Sequence, residues 1–169
     1  MCNHLVIPGE LHSTSLLTAG APDLAVWRAI FKVNVCMSRE LDHRVEAAHG
    51  MSLSSLQALI CLDEAPDGRM RMSDLADAAG LSRSGLTRLA DRLEQGGFIS
   101  RDRCCDDARG AFACLTDDGR KRVVAARSTY QEAVEALLTS HLTEQERDII
   151  VGALDRVARD SLPGCGCGQ

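Results

Sequence analysis

Residues 73–119 read SDLADAAGLSRSGLTRLADRLEQGGFISRDRCCDDARGAFACLTDDG, and their punctuation divides them into helix, tight turn, helix and a two-stranded ribbon. Ser73 is placed to cap a short helix through Ala79, Gly80-Leu81 makes a turn, and Ser82 caps a second helix to about Gln95. In that second helix Leu86, Leu89, Ala90 and Leu93 follow an i, i+3, i+4, i+7 spacing. One face is therefore buried, and Arg83, Ser84, Thr87 and Arg88 fall on or near the exposed side. Gly96-Gly97 terminates the helix, and Phe98–Arg103 and Ala111–Leu115 read as strands around a tip at Asp106–Gly110. Thr116 caps the helix that follows, with Asp117 and Asp118 favourably placed at its positive end.

The order of these pieces points to a duplex-DNA reader. Ala76 and Gly80 put a small residue where the helices approach and a glycine where the turn needs positive φ. Ser82-Arg83-Ser84 brings hydroxyls, a guanidinium and backbone N–H groups to the start of the second helix, which suits phosphates and base edges in a major groove. The ribbon with Arg109 at its tip makes this the winged version of the helix-turn-helix. A helix pair alone is as often mere core; the caps, the arginines and the ribbon together carry the reading. Its DNA-contacting residues are Ser82, Arg83, Ser84, Thr87, Arg88 and Arg109, with Arg88 serving base choice and Arg109 the minor groove or its phosphates.

The same stretch resembles the multiple-antibiotic-resistance regulator (MarR) family. The matching features are Leu75-Ala76, Leu81-Ser82, Thr87-Arg88-Leu89, Asp91-Arg92-Leu93-Glu94, Gly97-Phe98-Ile99, Asp107-x-Arg109 and Leu115-Thr116-x-x-Gly119. The likeness covers about residues 23–160. It implies a winged domain whose flanking first and last helices interleave with a second subunit. It also implies binding to a pseudo-palindromic operator, usually as a repressor released by a ligand or an oxidant. Three positions depart from the pattern: Gly85 where a β-branched residue is usual, Ala108 where the wing often carries arginine, and Cys104-Cys105 in place of a polar lead-in.

The flanks read as helices with one apolar face. From Asp23, residues Leu24, Trp27, Ile30, Phe31, Asn34, Val35, Leu41 and Val45 recur roughly every three or four positions, predicting a long helix that ends near His49-Gly50. Ser52 starts a short helix over Leu53–Leu62, Pro66-Asp67-Gly68 is a turn, and Arg69–Met72 is a short strand. Thr143-Glu144-Gln145-Glu146 has capping-box spacing and opens a last helix carrying Ile149, Ile150, Leu154 and Val157, ended by Pro163. The organisation is thus a flexible arm at 1–22, a dimerisation helix at 23–50, the winged domain at 51–116, dimerisation helices at 117–162 and a Cys/Gly-rich tail at 163–169. The fold class is mainly α with a small β-wing.

Composition sets the outer limits. The 169 residues are 45% hydrophobic and 25% charged, ordinary for a soluble protein. No apolar run approaches the roughly 18–20 residues that span a bilayer, and Met1–Gly20 lacks the build of a signal peptide, so a cytoplasmic protein is expected. The net charge of −5 argues against nucleic acid until its distribution is considered. Residues 81–110 carry six arginines against five acids, a slightly basic patch on an acidic body. Five aromatic residues are too few for a single-strand stacking platform. There is no H-x-x-x-H, no C-x-x-C and no phosphate-cradling glycine loop, so an enzyme is not expected.

Eight cysteines remain to be explained. Cys36 and Cys61 lie in apolar helical sequence and read as small buried residues. Cys104, Cys105 and Cys114 flank the wing, and a hairpin centred near Asp107–Ala108 is expected to bring Cys114 opposite Asp102–Cys104. Cys165 and Cys167 form a secondary pair on the glycine tail. Clustered thiolates favour a soft metal ion or an iron–sulfur cluster, and the same clustering permits a disulfide. Metal sensing, thiol-redox sensing, release by a small aromatic ligand, and no cofactor at all stay open at this point. The five histidines, His4, His12, His43, His49 and His141, read as surface or core residues.

Overall fold

The computed structural model describes residues 22–103 and 111–161. Helix α1 spans Pro22–His49, α2 Leu53–Glu64, α3 Met72–Ala78, α4 Arg83–Gln95, α5 Asp117–Leu137 and α6 Glu144–Ser161. Strands β1 (Arg69–Arg71), β2 (Ile99–Arg103) and β3 (Ala111–Leu115) form one antiparallel sheet in the order β1-β3-β2. This is the expected mainly helical architecture with a small sheet. The wing tip, the N-terminal arm and the Cys/Gly tail lie outside the described residues. The part of α1 up to Cys36 groups apart from the unit that begins at Met37.

Most helix starts follow from hydroxyl caps already visible in the sequence. Ser52 Oγ accepts from Ser55 N at 3.2 Å, Ser82 Oγ from Gly85 N at 3.1 Å and Thr116 Oγ1 from Gly119 N at 3.0 Å. At α6 the capping box closes in both directions: Glu146 N donates to Thr143 Oγ1 at 3.3 Å, and Thr143 N donates to Glu146 Oε2 at 2.8 Å. Helix α3 is the exception. Its N-cap is Arg71, with no side-chain cap bond, and Ser73 Oγ instead donates to Asp74 Oδ1 at 2.9 Å. Strand β1 runs directly into α3, which leaves no connecting residue to act as a hydroxyl cap.

The core sits inside the winged body. Leu56, Leu59 and Leu62 of α2 are fully buried with Leu75 of α3, Leu86 and Leu89 of α4, Val45 of α1 and Val123 of α5. Two glycines set the geometry around it. Gly80 has φ +64°, the left-handed turn between α3 and α4. At Gly119 a Cβ atom would stand 2.1 Å from the Phe98 carbonyl oxygen, so only glycine lets α5 start against the turn leaving α4. Thr116 secures that approach, its hydroxyl donating to Gly97 O at 2.7 Å and its amide to Phe98 O at 3.1 Å.

Candidate nucleic-acid interface

Helix α4 presents the residues expected to meet DNA. Leu86, Leu89, Ala90 and Leu93 are buried, while Ser82, Arg83, Ser84, Thr87 and Arg88 are exposed, as the helical spacing required. The hydroxyls are less free than the side chains' exposure suggests. Ser82 Oγ is occupied as the cap and lies 3.3 Å from Ser84 Oγ, and Thr87 Oγ1 donates back to Arg83 O at 2.9 Å. Gly85 sits against the cap: a Cβ there would stand 3.0 Å from Ser82 Oγ, tighter than ordinary contact. The absence of a side chain at Gly85 thus fits a tight serine cap at the same place.

The helix is clamped to the sheet from behind. Arg101 of β2, only 24% exposed, pairs with Asp91 and, at 3.2 Å, with Glu94 of α4. One arginine of the basic stretch therefore serves the scaffold. Asp63 at the end of α2 is similarly shared by Arg120 and Arg127 of α5. Arg122 of α5 donates to His49 O at 2.5 Å and lies over the Phe98 ring at 5.6 Å, joining the end of α1 to the turn that leaves α4.

The hairpin register differs from the expectation for Cys114. Ile99 pairs with Leu115 and Arg103 with Ala111, which sets Cys114 opposite Ser100 rather than Asp102–Cys104. The register is symmetric about position 107, as expected, and a centre there sets position 100, not 102–104, opposite 114. Cys114 still reaches Asp102, its thiol donating to Oδ2 at 3.4 Å. Burial, then the hydrogen bond to Asp102, push this thiol above its ordinary pKa. Cys61 is half-buried, and Cys36, expected to be buried, is exposed: an apolar helical setting in sequence does not by itself place a residue in the core. Among the described residues no group of three or more His, Cys, Asp or Glu could hold a metal. Arg109, Cys104, Cys105, Cys165 and Cys167 lie outside the described residues.

One feature of the sheet was missed from sequence. Arg69 and Arg71 of β1 lie over the Phe112 ring of β3, with guanidinium carbons 4.1 and 5.0 Å from its centroid. The alternation Arg-Met-Arg was the available signal, since strand period two places both arginines on one face.

Comparison with known proteins agrees with this geometry. The MarR family model matches residues 51–110. The structure superposes on Sco3205, a MarR family transcriptional regulator from Streptomyces coelicolor in complex with DNA, with TM-score 0.75 and 30% identity over 82% of this chain and 87% of that one. An HTH-type transcriptional regulator of Mycobacterium bovis, Mb0904, is 33% identical across 70% of this chain and 80% of its own length. The transcriptional repressor MprA of Escherichia coli is 28% identical across 80% of this chain and 84% of its own. No helix among the described residues is long and apolar enough to cross a membrane. With its capped, exposed α4 backed by a buried core and a two-stranded wing, the chain belongs to the MarR family and is a DNA-binding transcriptional regulator.

Proposed function

We propose that the protein is a homodimeric repressor that reads a pseudo-palindromic operator with α4 in the major groove and the wing in the minor groove. The observation that carries this is the split of α4 into a buried leucine face and an exposed face bearing Arg83, Ser84 and Arg88. Arg88 serves base choice, Arg109 grips the minor groove or its phosphates, and Ser82, Ser84 and Thr87 shape the helix start. Support for a dimer comes from the apolar residues left exposed on the end helices within 23–50 and 117–162, among them Trp27, Phe31, Ile149 and Leu154. A test uses the duplex that the wild type selects from random double-stranded DNA. Arg88→Ala should lose about 1–3 kcal/mol on that duplex and relax its specificity, whereas Arg109→Ala should mainly flatten the salt dependence. Unchanged affinity in both variants would show that the helix or the wing is misplaced.

The signal to which the repressor responds is read from the root of the wing. Cys114 and Asp102 offer a sulfur and an oxygen donor within 3.4 Å of each other. With Cys104 and Cys105 they suit a soft cation or a cluster, which would displace the thiol proton that now bonds Asp102. A raised thiol pKa opposes thiolate formation for metal binding and disulfide exchange alike, so the preference for a metal rests on the clustering of donors. Replacing Cys104, Cys105 and Cys114 together by serine should abolish metal uptake and any metal effect on DNA affinity. If uptake persists, Cys165 and Cys167 are the next candidates. Should neither set respond, release by a small aromatic ligand is the remaining reading; a cleft of about 630 Å³ between the second half of α1 and α5, bordered by His43, Arg44, Thr129 and Glu132, is where it would be sought.

A further inference from the structure

Arg122 of α5 meets the ends of two other helices at once. Its Nη2 donates to the carbonyl oxygen of His49, the last residue of α1, at 2.5 Å. Its guanidinium lies over the Phe98 ring, 5.6 Å from the centroid. That ring is folded back on the end of α4: a Cβ at Gly96, the helix's C-cap, would stand 2.8 Å from it, and Phe98 N donates to Leu93 O at 2.9 Å. The cation thus sits at the negative end of the α1 dipole and over an aromatic ring, two placements that favour a guanidinium. The fit has a cost. Arg122 Nε is buried and makes no hydrogen bond among the described residues, a loss that an apolar side chain of similar length would not incur.

We propose that Arg122 is a positioning residue for operator reading: through Phe98 and the His49 carbonyl it fixes the seat of α4 against the end of α1. This rests on the reading of the protein as a dimer that places one α4 in each of two half-sites. In such a dimer the separation of the two recognition helices has to match the half-site spacing. Helix α1 carries exposed apolar residues assigned above to the dimer, so the joint between its end and α4 helps set that separation. Arg122 meets the last turn of α4, whereas Arg83, Ser84 and Arg88 are exposed on its first turns. It therefore acts on DNA through the helix and not by touching a phosphate. A second polar tie between α1 and α5, His49 Nε2 to Thr129 Oγ1 at 2.9 Å, involves no residue at the end of α4 and supplies the contrast. The competing role is that of a staple, in which Arg122 holds α1 to α5 without bearing on where α4 sits.

The experiment measures dissociation constants of the full chain across a salt series. The duplexes are the one that the wild type selects from random DNA, the same with one base pair inserted between its half-sites, and an unrelated one. Arg122→Met keeps the apolar stem and removes the cation and its donors. It should bind the selected duplex about tenfold more weakly and the other two as the wild type does, so the penalty for the insertion shrinks by the same factor. The salt slope should stay as in the wild type, because no phosphate contact is lost. Phe98→Leu should shift the same constants in the same direction, and joining it to Arg122→Met should add little, as for partners in one contact. It also serves as the test if the methionine variant does not fold. Thr129→Val should leave the insertion penalty unchanged. A folded Arg122→Met protein with wild-type constants on all three duplexes overturns the proposal. So does one that is less stable to denaturant yet reads the duplexes as the wild type does, which assigns Arg122 the staple. An equal shift in Thr129→Val overturns it as well, placing the effect in α1–α5 packing at large. A wild type that selects no duplex, or one without two half-sites, overturns the dimeric operator reading itself, and the proposal with it.

Discussion

The winged body and the end helices treat the same kinds of residue in opposite ways. Between α2 and α5, leucine after leucine is removed from water, and Leu56, Leu59, Leu62, Leu75, Leu86 and Leu89 are at most 2% exposed. In α6 no residue is buried, and Ile149 stands 61% exposed; on α1, Trp27 is 59% exposed. Both regions are amphipathic in sequence. The difference is that the winged body buries its apolar residues across helices and sheet, while many apolar residues of the end helices are exposed among the described residues. Apolar burial stabilises by about 25 cal/mol per Å² removed from water, so covering these exposed faces in the proposed dimer would add stabilisation. The comparison separates a winged body that buries its own apolar face from end helices whose apolar faces stay exposed, the faces the proposed dimer would cover.

The sharpest way to break that comparison is to damage each side in turn. Leu59→Ala, at a fully buried position of α2, should cost about 2–5 kcal/mol in chemical denaturation. A loss well below this range would mean that the winged body is not the stable unit. Ile150→Asp combined with Leu154→Asp should instead weaken self-association about a hundredfold in sedimentation, with the winged body still folded. A wild type already monomeric at micromolar concentration would remove the contrast altogether.

Smaller effects sharpen the picture within each region. Ser82→Ala removes the cap of α4 and should lower stability by about 1 kcal/mol, with Ser82→Asp restoring most of it. The least is expected at the start of α6. There the Thr143 amide, and then its hydroxyl, hold the Glu146 carboxyl below its ordinary pKa. A depressed folded-state pKa means the contribution is complete above the unfolded value and lost as pH falls through the folded one. Acidification below the usual glutamate range should therefore fray α6, seen as a loss of helicity that Glu146→Gln renders independent of pH. Helicity that falls equally in both proteins would place the acid-sensitive group elsewhere.

Much of the reading head was legible in the residues because its signals are local. Ser52, Ser82, Thr116 and the Thr143–Glu146 box bond within three residues of themselves, so their capping is written in adjacent letters. Ser73 misled for the complementary reason: whether a serine caps depends on where the preceding strand stops, and β1 continues to Arg71. The exposed face of α4 was equally visible, since a helical period needs only the chain itself.

What the sequence alone determined is the order of elements, the caps that bound them and the side of α4 left to solvent. What only the tertiary structure decided is everything that depends on register or on distant partners. The pairing of Cys114 with Ser100 and its bond to Asp102 follow from where the hairpin strands lock, a choice that shifts every cross-strand neighbour at once. The stacking of Arg69 and Arg71 on Phe112 joins residues more than forty positions apart, and the recess shared by Arg71 and Arg83 joins a strand to a helix. Gly119, readable as part of a motif, acquires its reason only when the Phe98 carbonyl is found where a Cβ would be. Local hydrogen bonding writes itself into neighbouring residues, whereas packing and cross-strand contact are set by the whole chain closing on one core.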